Sequence, residues 1–253
     1  MRSNVEFKVS GRFALFTDPL TRIGGEKCSY HIPTYEALKG ILSSVYWKPT
    51  FIWYINKMRV MKRIQMQPRG AKPVRYAHKD GGNEISIYTY LVDVEYQVMA
   101  YFDWNPYRED LKGDKNENKH HNIARRMIRC GGRRDVFLGT RECQGYVEPC
   151  RFGEGESEYD NSSTIYFDLM FHGFNYPDET GDDQIQARFW RPKMINGIVE
   201  FSHPNDCDPK LIRNVKTYAA RPPKSVGLQE PSLMEHCEEV LNELDAKTLR
   251  YIQ

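Results

Sequence analysis

The stretch Val92-Asp93-Val94-Glu95-Tyr96-Gln97-Val98-Met99-Ala100-Tyr101-Phe102 decides the reading of the fold. Val92, Val94, Tyr96, Val98, Ala100 and Phe102 are apolar, and Asp93, Glu95 and Gln97 stand between them, which is the period of a strand with one face in a core. The same alternation runs through Val5, Phe7, Val9, Gly11, Phe13 and Leu15, with Glu6, Lys8, Ser10 and Arg12 interleaved, and predicts a first strand over 5–15. Between the two, Pro33 and Thr34 open a segment whose Tyr35, Leu38, Ile41, Leu42 and Val45 recur at helical spacing. Pro49 forbids its continuation, so this helix should end near Tyr46. Residues 51–66 are rich in β-branched and aromatic side chains and read as another strand, ended by a loop over 68–83 with Gly70, Pro73, Gly81 and Gly82.

Beyond Phe102, Ile123, Ala124, Met127 and Ile128 mark a short amphipathic helix stopped by Gly131 and Gly132, and 136–138 with 145–152 are apolar enough for a closing strand or hairpin. The order strand, helix, strand, strand, helix, strand is the split βαβ arrangement, so the class is α+β with a ferredoxin-like sheet carrying its helices on one face. RNA recognition modules use that architecture, and so do many unrelated functions. After the acidic stretch 153–160 the pattern changes to strands over 163–171 and 187–201, separated by a loop over 176–183, and a terminal helix from Ser232 carries Leu233, Cys237, Val240, Leu241 and Leu244. Two domains are therefore expected: 1–150, ferredoxin-like, and 151–253, smaller and β-rich with a terminal helix.

With 28% charged and 13% aromatic residues the composition is that of a folded chain and not of a disordered tail. No N-terminal stretch reads as a signal peptide and no apolar run approaches the roughly 20 residues of a membrane span, so a cytoplasmic protein is expected. The six cysteines show no C-x-x-C pair, which signals neither a zinc knuckle nor a disulfide framework. The net charge of +2 conceals an asymmetry: residues 1–150 hold 25 Lys plus Arg against 16 Asp plus Glu, and the remainder 11 against 18. A polyanion partner would require such gathered basic charge, although a merely solvated surface would also produce it.

The densest basic cluster comprises Lys112, Lys115, Lys119, Arg125, Arg126, Arg129, Arg133 and Arg134, against Asp114 and Glu117, with His120 and His121 in its middle. A loop carrying Lys and His into the first turn of a helix directs N–H groups and cations to one point, where a phosphate is favoured. A solvated basic face with two exposed histidines is the competing reading. RNA can be cut without metal when its own 2′-hydroxyl attacks the neighbouring phosphate, provided that groups accept and donate protons and cations steady the added charge. His120 supplies an imidazole that can accept or donate a proton, Lys119 supplies a point charge, and Tyr46 offers a phenol, though alone it reads more often as a core or rim aromatic. P-loop, G-x-S-x-G and H-E-x-x-H motifs are absent, and the acidic pairs have no histidine at metal-ligand spacing, so neither a metal nor a cofactor is expected.

Longer strings carry a family resemblance. Ala14-Leu15-Phe16-Thr17-Asp18-Pro19-Leu20-Thr21-Arg22 with Gly24-Gly25-Glu26-Lys27, Pro33-Thr34-Tyr35-Glu36-Ala37-Leu38-Lys39-Gly40-Ile41 running into Tyr46-Trp47-Lys48-Pro49, Asn116-Glu117-Asn118-Lys119-His120, and Gly131-Gly132-Arg133-Arg134-Asp135-Val136-Phe137-Leu138-Gly139-Thr140-Arg141-Glu142-Cys143 resemble the precursor-crRNA processing subunit of type I-C CRISPR systems. That is the Dvulg subtype of the fifth CRISPR-associated family, within the RAMP superfamily. Phe189-Trp190-Arg191-Pro192 and Asn196-Gly197 look familial too. The resemblance implies a ferredoxin-like N-terminal domain, a β-rich C-terminal domain, cleavage of repeat RNA at the base of its hairpin, retention of the 5′ handle within the antiviral surveillance complex, and a catalytic trio of Tyr46, Lys119 and His120. Lys112, Lys115, Arg125, Arg126, Arg129, Arg133 and Arg134 are the expected RNA contacts. Lys115 stands where arginine is common, and His121 adjoins the expected histidine. A non-catalytic handle-binding subunit and a protein that binds or cuts double-stranded DNA are the other readings.

Overall fold

A computed structural model of the chain describes residues 4–19, 21, 26–72 and 85–217. The Gly24-Gly25 pair, most of the expected 68–83 loop and the expected terminal helix from Ser232 lie outside the described residues. The alternating segments become the central strands, β1 (Val5–Ala14) and β4 (Ser86–Trp104), paired antiparallel with Val9 opposite Tyr96 and Phe7 opposite Val98. Their apolar sides are buried as the period requires: Phe7, Val9, Val98 and Ala100 have no exposed surface. Asp93 takes a left-handed φ of 52, and from Val94 to Phe102 the apolar side stays buried, with Gln97 on the other side buried as well beneath the stretch that it helps to fasten.

Helix α1 (Tyr35–Val45) starts at the Thr34 hydroxyl, which accepts from the Ala37 N–H at 3.1 Å, and buries Leu38, Ile41, Leu42 and Val45. Strand β2 (Phe51–Val60) pairs with the other side of β4. The expected loop from residue 68 needs correction at its start, because 68–71 belong to β3 (Met66–Ala71), which forms a ribbon with 86–91 of β4. Pro68 is tolerated there since β3 pairs on one side only. Helix α2 (Glu117–Arg129) begins earlier than its apolar residues suggest, because Asn116 caps it by accepting from the Lys119 N–H. It ends where expected, with Gly131 and Gly132 at φ 79 and 113. β5 (Val136–Phe137) and β6 (Gln144–Pro149) close the first half as a hairpin, and β6 lies against β1. The central order is thus β6-β1-β4-β2.

Later strands extend that sheet and add a second one. β7 (Ile165–Tyr166), β10 (Lys193–Ile195) and β11 (Ile198–Glu200) continue it outward from β2. β8 (Met170–Asn175), β9 (Gln184–Trp190) and β12 (Ile212–Thr217) form a three-stranded sheet, with the one-turn α3 (Pro177–Thr180) between β8 and β9. The expected strand over 187–201 is three strands, broken at Pro192 and at the Asn196-Gly197 turn, whose φ values of 47 and 75 are those of a tight hairpin. The acidic stretch 153–160 is fastened to the sheet, since Arg59 donates to the Gly155 carbonyl at 2.9 Å and to Asp160 at 2.6 Å, and Gln97 donates to the Glu154 carbonyl at 2.6 Å. Among the described residues no helix is long and apolar enough to cross a membrane.

Candidate active site

Three elements meet at one point because each ends there. Tyr46 caps α1 in an extended conformation, with its N–H still on the Leu42 carbonyl at 2.9 Å and its own carbonyl held by the Trp53 indole at 2.7 Å. The start of α2 supplies Lys119 and His120. Between them lies a short 3-10 helix, Glu109–Asp114, which delivers Asp114.

The Tyr46 hydroxyl lies 2.8 Å from His120 Nδ1, and His120 Nε2 lies 2.7 Å from the Asp114 carbonyl. A carbonyl only accepts, so Nε2 carries the hydrogen, and in the neutral ring Nδ1 then accepts from the phenol. The Asp114 carboxylate stands 3.4 Å from the same Nε2, takes the Lys119 ammonium at 2.5 Å on Oδ1, and accepts from the Thr50 hydroxyl at 2.9 Å on Oδ2. These cationic and hydroxyl partners, Lys119 foremost, hold the Asp114 carboxyl below the usual carboxylate range. Burial pushes the Tyr46 phenol up, the Asp114 charge adds to this, and the Arg133 guanidinium opposes it.

The imidazole of His120 is completely enclosed, at 0% exposure, by the edges of Phe51, Phe102 and Trp104 and by Tyr46. Tyr46 is 4% exposed, whereas the Lys119 side chain is 51% exposed. The structure therefore brings Tyr46, Lys119 and His120 together and grades them from surface to interior. His121 is not part of this group. Its Nδ1 is buried without a partner among the described residues, and burial together with Arg125 lowers its pKa.

Arg125 and Arg129 follow His121 at helical spacing and line a surface cavity of about 270 Å³ with it. Arg133 and Arg134 line another of about 250 Å³ with Ser43, Ser44 and the exposed Trp47, because their N–H groups bond the Val45 and Ser44 carbonyls at the end of α1. These four and Arg126 are exposed or half-buried, and among the described residues none forms an ion pair. Lys112 is exposed as well, but Lys115 is half-buried with its ammonium on the Asn105 carbonyl at 3.3 Å. Sequence reasoning missed Thr50 and Trp47 as members of the site and counted Asp114 only as an opposing charge. Asp114, five residues before Lys119 in a cluster otherwise cationic, was the available signal; Thr50 carried none.

A model of CRISPR-associated proteins, Cas5, in its Cas5d form, matches residues 5–202. The chain is 36% identical over 229 residues to the CRISPR pre-crRNA endoribonuclease Cas5d of Mannheimia succiniciproducens, covering 79% of this chain and 95% of that one. It is 28% identical over 156 residues to the protein of the same name from Thermus thermophilus, covering 58% and 64%. Among solved structures, a CRISPR-associated protein superposes with a TM-score of 0.67 at 35% identity over 84% of this chain and 97% of its own. A functionally uncharacterized protein of Streptococcus mutans does so at 0.65 and 36% over the same shares. A match across 5–202, joined by a relative of this identity and coverage, makes the chain a member of the Cas5d family of CRISPR-associated proteins.

Proposed function

We propose that the chain is a metal-independent endoribonuclease that cuts CRISPR repeat hairpins in precursor crRNA and keeps the 5′ handle as a subunit of the type I-C surveillance complex. The observation that carries this reading is the contact of Tyr46, His120 and Lys119 around Asp114, a hydroxyl, an imidazole and an ammonium gathered about one carboxylate-bearing residue. Proton acceptor, proton donor and cation are what intramolecular attack of a 2′-hydroxyl on phosphorus needs. The relatives named as pre-crRNA endoribonucleases support cleavage of precursor crRNA as the reaction. Residues 1–150 supply all three side chains, and the strand order β6-β1-β4-β2 with two intervening helices supports a ferredoxin-like, RRM-like domain there. Residues 151–253 are then the smaller β-rich part. Arg125, Arg126, Arg129, Arg133, Arg134 and Lys112 hold the RNA backbone, with Lys115 a lesser contact because its ammonium is already engaged.

The full enclosure of His120 favours a second reading, a subunit that grips the handle while another protein cuts. Incubating the purified chain with the repeat RNA of its own array in EDTA separates them. The nuclease reading expects one cut in each repeat; RNA that is bound and left whole supports the second.

A further inference from the structure

We infer that Tyr46 is the group that meets the RNA, and that His120 and Asp114 act through it as a proton relay. The inference rests on the ribonuclease reading and deepens it. His120 has no exposed surface and both ring nitrogens are engaged inside the protein, Nδ1 by the Tyr46 hydroxyl at 2.8 Å and Nε2 by the Asp114 carbonyl at 2.7 Å. Phe51, Phe102 and Trp104 close the other directions. On the Nδ1 side, the hydrogen-bonded path from this imidazole toward a bound RNA is the phenol, whereas the Nε2 side is occupied by Asp114 and its Lys119 partner.

Two cations stand on the Tyr46 side as well. Arg133 is near enough to act on the phenol, and Arg133 and Arg134 are tied to the last turn of α1 through the Val45 and Ser44 carbonyls. A tyrosine phenol is ordinarily protonated at neutral pH and burial moves it further in that direction, so it transmits a proton and is not a standing phenolate base.

In the cleavage step the 2′-hydroxyl passes its proton to the phenol oxygen while the phenol's own proton moves to His120 Nδ1. The 2′-oxygen bonds to phosphorus, the bond from phosphorus to the 5′-oxygen breaks, and that oxygen takes a proton from the Lys119 ammonium. The imidazolium then returns its proton through the phenol, and the Lys119 amine recovers one from solvent. Asp114 is a positioning residue: its carbonyl sets the ring's tautomer, and its carboxylate, 3.4 Å from Nε2 and steadied by Thr50, offsets the positive charge the ring acquires. An acid, an imidazole and a hydroxyl in line share the logic of hydrolytic triads, with a phenol in the nucleophile-activating place.

Single-turnover cleavage of repeat RNA by Tyr46→Phe, His120→Ala and the double variant tests the relay. Members of one path are not additive. Each single change should slow cutting by at least about tenfold, and the double variant should be within about threefold of the slower single. Multiplying effects would overturn the relay and leave the nuclease reading standing, because they would mean that imidazole and phenol reach the RNA separately. Singles that both cut at the parental rate would remove the site itself, and the relay with it. Asp114→Asn should slow cutting with unchanged RNA affinity in the parent and change little in the His120→Ala background; a merely structural Asp114 would cost the same in both. His120→Gln replaces His120→Ala if thermal melts show that the cavity left by alanine unfolds the chain. Thr50→Ser should retain the rate that Thr50→Val loses, and equal rates would remove Thr50 from the relay.

Discussion

His120 and His121 are neighbours in sequence, and they open two different faces of α2. On one face His120, Ala124 and Ile128 are buried, and both nitrogens of the imidazole have a partner. On the other, His121, Arg125 and Arg129 border solvent, and the arginines form no ion pair among the described residues. The first face is specified by geometry and serves a step that tolerates little displacement. The second is specified by charge alone, and many arrangements of cations would hold a phosphate backbone equally well. Chemistry and affinity should therefore be separable by substitution along a single helix.

The largest expected effect is on the buried face. His120→Ala, Tyr46→Phe and Lys119→Ala should each slow single-turnover cleavage by at least about tenfold, and by up to about 10⁴, while the dissociation constant for repeat RNA stays within about threefold. His121→Ala alters the neighbouring imidazole without touching the relay and should cut at the parental rate. A slow His121 variant beside a fast His120 variant would reverse the assignment of faces.

The next effect is on the exposed face. Reversing charge at Arg125 and Arg129 together, or at Arg133 and Arg134, should weaken binding by about tenfold or more near ~0.1 M salt. It should also reduce the slope of log affinity against log salt by roughly 0.7 for each phosphate that is no longer neutralised. The cutting rate of the bound complex should barely change for the Arg125 and Arg129 pair. Unaltered affinity and slope in both pairs would place the RNA elsewhere.

The smallest effect belongs to a third histidine that is buried without a relay. His172 is stacked on Tyr35 at 4.4 Å, donates to the Ser202 carbonyl at 3.1 Å, and is held at about pKa 3 by burial and by the Arg188 guanidinium. Its folded pKa lies below its unfolded value of about 6.5, so between those values the unfolded chain binds more protons. Stability should be full above about pH 6.5 and should fall as pH drops toward about 3, by at most about 1.4 kcal/mol per pH unit from this group. Denaturant midpoints between about pH 7.5 and about pH 5.5 should show the decline in the parent and a shallower one in His172→Gln; equal slopes would assign it to other groups.

Much of the fold was legible because one-sided burial leaves a period of two in β1 and β4 and a helical period in α1. Two of the differences have local reasons. Gly70 and Pro68 read as loop residues, and only the pairing of β3 with β4 overrides them. Residues 187–201 read as one strand because their apolar and aromatic content outweighs the Asn196-Gly197 pair, which is a strong hairpin signal. In the site, Tyr46, Lys119 and His120 could be named from motif strings, but their depth could not. The enclosure of His120 depends on Phe51, Phe102 and Trp104, which arrive from β2 and β4 and not from its own helix. Asp114 became visible as a hub only once the 3-10 helix placed its carbonyl and carboxylate on the same imidazole.

The most direct test of the central claim is single-turnover cleavage of repeat RNA in EDTA, with the 2′-hydroxyl of the scissile nucleotide replaced by hydrogen. In-line attack by that hydroxyl predicts that the all-ribose substrate is cut to a 2′,3′-cyclic phosphate and a 5′-hydroxyl, and that the single-deoxy substrate binds equally well and stays whole. Efficient cutting of the deoxy substrate, or a parental cut that vanishes in EDTA and returns with Mg²⁺, would contradict the account.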